Sequence, residues 1–275
     1  MLSFTMLKQE RRQVEVGRFT LPVCIYGKGE NILICVNGAQ QSMGVWKALA
    51  QFLAPDYSVA AFDFPGQGAA LINRGSCKID LPEQINCLNQ VVGLVAAKKY
   101  SILGSSWGGL IAAAFAATNP PGLRRLILAS FGIKPTQEIV ELIKRGMDLQ
   151  QSGNATAIGQ LLIDGFGQRV PEILKKATLR QFAHMPQQHL QAFEQHCKFI
   201  MQLEGNSVAI DFPAIKAQTL IINGAEDSII DYQDNLNIAS RIPSCKTILV
   251  EETGHFLHFE RPQIMQYYAD FLSRP

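Results

Sequence analysis

Short unbroken apolar runs alternate along this chain with longer stretches whose apolar positions recur at helical spacing. The runs at residues 32–36, 58–62, 126–129, 219–223 and 247–250, and one closing on Ser101-Ile102-Leu103, read as strands. Continuous apolar strands are expected where helices cover both faces of a sheet. Residues 18–26 read as a further strand, closed by a turn at Gly27, Lys28 and Gly29. Helical spacing marks 45–53 and 81–98, the second with Ile85, Leu88, Val91, Val92 and Val95 on one stripe. A helix of small residues covers 110–117 and stops at Asn119-Pro120-Pro121, where two prolines cannot continue it. A last helix runs from Pro262 to Leu272. Strand and helix in alternation predict an α/β fold with a mostly parallel central sheet flanked by helices.

The alternation breaks once. From residue 134 to about 211 the periodicity is helical throughout, with apolar positions at Ile139, Leu142, Ile143, Leu161, Leu162 and Phe166 and onward to Phe193 and Leu203. This stretch is expected to form an all-helical cap over a site, inserted into a core made of residues 1–133 and 212–275.

The chain has 275 residues, 47% hydrophobic and 17% charged, which is ample for one large core. A net charge of +2 without any basic run argues against a nucleic-acid partner. Residues 1–13 mix apolar, acidic and basic side chains and lack the apolar centre of a signal peptide. The segment 100–123 is uncharged and long enough to span a bilayer, yet it holds three serines, an asparagine and two prolines. A buried strand followed by a buried helix accounts for it, so no stable membrane insertion is expected. Six scattered cysteines, none in a Cys-x-x-Cys pair, read as reduced thiols of a cytoplasmic protein, Cys87 and Cys197 being ordinary buried ones.

The chemistry concentrates at Gly104-Ser105-Ser106-Trp107-Gly108-Gly109, a Gly-x-Ser-x-Gly elbow between a strand and a helix. Such a turn lifts a serine hydroxyl out at the carboxyl edge of a sheet. A hydroxyl needs a base, and His255 in Glu252-Thr253-Gly254-His255-Phe256 follows the last strand. An acid must orient that imidazole, and Asn223-Gly224-Ala225-Glu226-Asp227 follows the preceding strand. Asp227 is chosen over Glu226 because the Gly-x-x-Asp spacing first leaves the tight turn and then aims the shorter carboxylate inward; Asp231 and Asp234 are the alternatives. The order serine, acid, histidine is the one this fold uses. Backbone N–H groups of Trp107 and of Ala39, in Asn37-Gly38-Ala39-Gln40, are expected to hold the oxyanion. The site walls are assigned to Asn37, Gly38, Gln40, Phe166, His196 and Phe256. His184, His189 and His196 lie in the cap as solvated or packing residues, one of them able to meet a polar substrate group. His258 and the segment Asp63-Phe64-Pro65-Gly66-Gln67-Gly68 read as structural. No metal or redox cofactor is needed.

These residues resemble the α/β-hydrolase superfamily. Within it, Val36-Asn37-Gly38-Ala39, Phe62-Asp63 with Pro65, Ser105-Ser106-Trp107-Gly108-Gly109, Asn119-Pro120 and Gly254-His255-Phe256-Leu257 are similar to the rhamnolipid-biosynthesis acyltransferases and the related 3-hydroxyacyl-carrier-protein:CoA transacylases. Similar cap positions are Ala157-Ile158-Gly159, Leu161-Leu162 and His184-Met185. The resemblance spans about residues 32–260. It implies Ser106, Asp227 and His255 as a triad acting on 3-hydroxyacyl thioesters of acyl-carrier protein or CoA, with a 3-(3-hydroxyalkanoyloxy)alkanoate or a transferred acyl group as product. Two departures stand out. Ser228-Ile229-Ile230 replace an acidic residue, an aromatic and threonines, and Gly66-Gln67-Gly68-Ala69 lacks the customary serine. Ester or thioester hydrolysis by the same triad is the rival activity, and a non-catalytic lipid-binding protein the rival from another class.

Overall fold

Three surfaces must be buried at once: two faces of an apolar sheet and a helix that is apolar all round. The computed structural model describes residues 7–95, 98–203 and 208–273. The first six residues of the N-terminal reading, positions 96 and 97 of the helix expected at 81–98, and positions 204–207 of the expected cap lie outside the described residues.

In chain order the elements are β1 (Gln9–Val16), β2 (Phe19–Tyr26), β3 (Asn31–Val36), α1 (Lys47–Leu53), β4 (Tyr57–Phe62), β5 (Leu71–Ile72), α2 (Leu81–Val95), β6 (Tyr100–Ser105), α3 (Trp107–Ala117) and β7 (Leu123–Ala129). Then come α4 (Gln137–Gln151), α5 (Ala155–Phe166), α6 (Glu172–Ala183), α7 (Gln187–Gln202), β8 (Gln218–Gly224), α8 (Tyr232–Ala239), β9 (Cys245–Val250), α9 (Leu257–Glu260) and α10 (Ile264–Leu272). The sheet order is β1-β2-β4-β3-β6-β7-β8-β9, with β5 on β2. From β4 to β9 every pairing is parallel, and β2 is antiparallel to its neighbours.

Alternation within the strands feeds two cores. Ile34, Val36, Ile102, Leu126 and Leu128 point to the face covered by α2 and α3. Leu33, Cys35, Leu103, Ile127 and Ile222 point to the face covered by α1 and α10. Helix α3, Trp-Gly-Gly-Leu-Ile-Ala-Ala-Ala-Phe-Ala-Ala, has no polar face, and its residues 108–116 are all buried.

The sequence pattern missed β1, whose Gln-Glu-Arg-Arg-Gln-Val-Glu-Val is an exposed, charged edge strand joined to β2 by a turn with Gly17 at φ 59°. Such edges carry charge because an apolar one would pair with other chains. It also missed α8, short and polar, with Asp231 accepting from the N–H groups of Gln233 and Asp234 as its cap.

One topological feature places the site. The chain runs β3 to β4 on one side of β3, then returns to β6 on its other side. The loops after β3 and β6 therefore leave a switch point in opposite directions and open a crevice at the carboxyl edge, where α/β sheets bind ligands.

Candidate active site

Ser106 sits between β6 and α3 at φ 53° and ψ −121°, a conformation a non-glycine residue holds only under constraint. The constraint is visible. Ser106 N–H donates to the Ala129 carbonyl at 2.8 Å, and its own carbonyl accepts from Gly109 N–H at 2.8 Å. A Cβ on Gly104 would strike the Gly108 carbonyl, and one on Gly108 would strike the carbonyls of Val36 and Asn37. The two glycines let strand, turn and helix meet at backbone contact.

His255 Nε2 lies 3.0 Å from Ser106 Oγ, and His255 Nδ1 lies 2.7 Å from Asp227 Oδ2. A carboxylate only accepts, so Nδ1 carries the imidazole proton and Nε2 accepts from the serine hydroxyl. Asp227 Oδ1 accepts from Ile229 N–H at 3.2 Å, and the side chains of both Asp227 and His255 are buried. The other acids are engaged elsewhere. Glu226 pairs with Arg169 of the α5–α6 loop, Asp231 caps α8, and Asp234 lies 3.5 Å from Lys134.

Two supporting residues escaped the sequence reading. Glu260 accepts from Gly254 N–H at 2.7 Å and Phe256 N–H at 2.9 Å, clamping the histidine loop on both sides of His255. Ser130, at φ 50°, donates its hydroxyl to the His255 carbonyl. An acid in a one-turn helix just past the histidine was the available signal for Glu260; Ser130 had none.

Beside Ser106 opens a cavity of about 850 Å³ with largely apolar walls from α4 to α7, among them Ile139, Leu142, Leu162, Leu174 and Phe193. That lies toward the large end for small-molecule pockets. Gly38, Ala39, Gln40, Trp107, Phe166, His196 and Phe256 all line it, with Ser106 and His255. Phe166 stacks on Phe256 at 5.5 Å and meets the His255 ring edge-on at 5.4 Å. Neither Ala39 N–H nor Trp107 N–H has a hydrogen-bond acceptor among the described residues, which leaves both free for a ligand oxygen. Asn37 does not belong to this wall. It is fully buried, its Nδ2 donates to the Phe62 carbonyl at 2.8 Å, and its Oδ1 accepts from Trp46 Nε1 at 2.6 Å. The side chain joins β3, β4 and the Trp46 turn and has nothing left for a substrate.

His196 meets the Trp107 ring edge-on at 4.2 Å, and burial depresses its pKa to about 4, so it stands neutral in the cavity wall. Burial likewise pushes the Cys87 and Cys197 thiols up to about 12, as inert packing residues. His258, one turn beyond His255, is buried between Trp46 and Phe259, and burial lowers its pKa to about 4. A histidine that stays neutral in the fold down to about pH 4 but is protonated below about pH 6.5 in the unfolded chain contributes stability that is complete above about pH 6.5 and is lost as pH falls toward 4. The shift corresponds to about 3 kcal/mol. His258→Phe is therefore expected to reduce the loss of unfolding free energy between pH 7 and 4.5 by ~2–3 kcal/mol relative to the parent, read by urea titration at each pH. Parallel pH dependences in the two proteins would contradict this.

A mostly parallel sheet of this order, with the serine elbow on β6 and helices inserted between β7 and β8, defines an α/β-hydrolase. The chain belongs to the family described as Serine aminopeptidase, S33, whose sequence model matches residues 27–262. It is 22% identical over 270 residues to an (R)-3-hydroxydecanoyl-ACP:CoA transacylase of Pseudomonas aeruginosa, covering 97% of this chain and 89% of that protein. It is also 26% identical over 262 residues to a monoacylglycerol lipase of Xenopus laevis, covering 88% of this chain and 75% of that one. Among solved structures, an α/β-hydrolase enzyme from a deep-sea metagenome library superimposes with a TM-score of 0.81 at 18% identity, covering 96% of this chain and 98% of that one. Among the described residues no helix is long and apolar enough to cross a membrane.

Proposed function

We propose that this protein is a cytoplasmic serine acyltransferase that takes a 3-hydroxyacyl group from an acyl-carrier-protein or CoA thioester and passes it to the 3-hydroxyl of a second 3-hydroxyacyl group. The observation carrying the reading is the apolar cavity of about 850 Å³ that opens directly beside Ser106 and His255. Ser106 is the nucleophile, His255 the base and Asp227 the acid. His255 Nε2 takes the Ser106 proton as Oγ attacks the thioester carbonyl. The N–H groups of Ala39 and Trp107 bind the developing oxyanion, where preorganised donors are worth most. Collapse breaks the carbon–sulfur bond, and His255 returns the proton to the departing thiol. The 3-hydroxyl of the second acyl group then gives its proton to His255 and attacks the acyl-serine. The new ester leaves as Ser106 recovers its proton.

The cap, residues 134–211 over a core of 1–133 and 212–275, provides walls from α4 to α7 that suit alkyl chains and exclude water from the acyl-serine. Phe166, His196, Phe256, Gly38 and Gln40 contact the acyl chains. Similarity to a transacylase of 3-hydroxydecanoyl thioesters supports the choice of substrate. Hydrolysis is the second reading, favoured by the S33 family and by similarity to a monoacylglycerol lipase. The two part at one step, the identity of the acceptor. Incubation with a 3-hydroxyacyl-CoA and mass analysis of the products is expected to give the ester-linked dimer; free 3-hydroxy acid alone would establish the hydrolase instead.

A further inference from the structure

The loop after β3 presents three consecutive backbone N–H groups, and side chains take up the outer two. Gly38 N–H donates to Gln41 Oε1 at 3.0 Å, and Gln40 N–H donates to Gln67 Oε1 at 2.8 Å. The Ala39 N–H between them has no acceptor among the described residues. The three groups belong to three successive peptide planes, so holding the outer planes fixes the rotation of the middle one.

The loop needs holding. Gln40 stands at φ 58°, a region from which a non-glycine residue relaxes unless its surroundings prevent it. Its carbonyl accepts from Gln181 Nε2 of α6 at 2.7 Å, so both peptide groups around Gln40 are tied. Gln67 is itself buried and delivered by a constrained turn. Gly66 and Gly68 flank it at φ 80° and 59°, and a Cβ on Gly68 would run into the Asp63 carboxylate. That carboxylate accepts from Ala69 N–H at 2.8 Å and from Met43 N–H at 2.6 Å, stapling the loop after β4 to the loop after β3. The Asp63–Gly68 segment thus brings one acceptor, Gln67 Oε1, to one donor beside the elbow.

We propose that Gln67 and Gln41 are positioning residues for the oxyanion: they cap the N–H groups on either side of Ala39 and so hold the Ala39 N–H ready for the acyl oxygen. This role presupposes Ser106 as the nucleophile. Neither glutamine touches the reacting atoms. Each acts through the backbone, where a donor must be in place before charge develops.

Gln67→Met keeps the length of the side chain and removes the acceptor. With 4-nitrophenyl octanoate as probe substrate, kcat is expected to fall ~100-fold while KM changes less than about threefold. Octylboronic acid, whose serine adduct is tetrahedral, is expected to bind weaker by the same ~100-fold, a loss that a merely structural role would not tie to kcat. Gln67→Glu, which restores an acceptor oxygen, is expected to recover kcat to within about tenfold of the parent. Gln41→Met, at a half-buried side chain, is expected to lose about tenfold in both readouts, and it carries the test if Gln67→Met does not fold. Wild-type kcat and boronate affinity in the folded variants, or a change confined to KM, would overturn the proposal. A parent protein that neither cleaves the ester nor binds the boronate would overturn the Ser106 reading with it.

Discussion

Ser106→Ala is expected to lower kcat by about 10⁵–10⁶-fold while leaving the fold intact, the largest single effect in this protein. The hydroxyl is the only atom removed. The backbone at φ 53° is imposed by the Ala129 and Gly109 hydrogen bonds and by the backbone contacts of Gly104 and Gly108, none of which involves the side chain. The unfolding midpoint should therefore correspond to a stability change within ~1 kcal/mol of the parent. Residual turnover would come from the free N–H groups of Ala39 and Trp107 and from binding in the cavity. Steady-state rates with a thioester, together with a denaturation curve, check both halves. Turnover within tenfold of the parent would remove the covalent mechanism.

Asp227→Asn is expected to cost about 10⁴-fold in kcat with little change in KM. A carboxamide at this position can offer its NH₂ group to His255 Nδ1, which stabilises the tautomer with the proton on Nε2. That nitrogen, 3.0 Å from Ser106 Oγ, then no longer accepts the serine proton. The neighbouring acid supplies the contrast. Glu226 is half-exposed and paired with Arg169, so Glu226→Gln should change kcat by no more than about twofold, as for other exposed ion pairs. Equal losses in the two variants would contradict the assignment of Asp227.

Much of this site is legible in the sequence because its constraints are local. Gly104 and Gly108 are demanded by the backbone contact around Ser106, and a strand before and a small-residue helix after them complete the pattern. The positions of Asp227 and His255 follow from the strands that precede them, and the structure brings both within hydrogen-bonding distance of their partners. What stayed hidden depends on distance along the chain. Asn37 looked like a substrate contact because a polar residue at a strand end suits a cavity wall as well as it suits a bridge between Trp46 and Phe62. Gln67 reaches Gln40 across 27 positions, and Ser130 reaches His255 across 125. No spacing rule connects such pairs. Strand β1 was invisible for a different reason: an exposed edge is built from charged residues that carry no strand rhythm.

The proposed chemistry requires a covalent acyl group at residue 106, and intact-protein mass spectrometry on acid-quenched mixtures of the protein with a 3-hydroxyacyl-CoA tests for it most directly. Within the first turnovers the protein should gain the mass of one 3-hydroxyacyl group, located in the peptide that carries Ser106 and absent from Ser106→Ala. Product formation at full rate with no such adduct, or an adduct on another residue, would contradict Ser106 as the nucleophile.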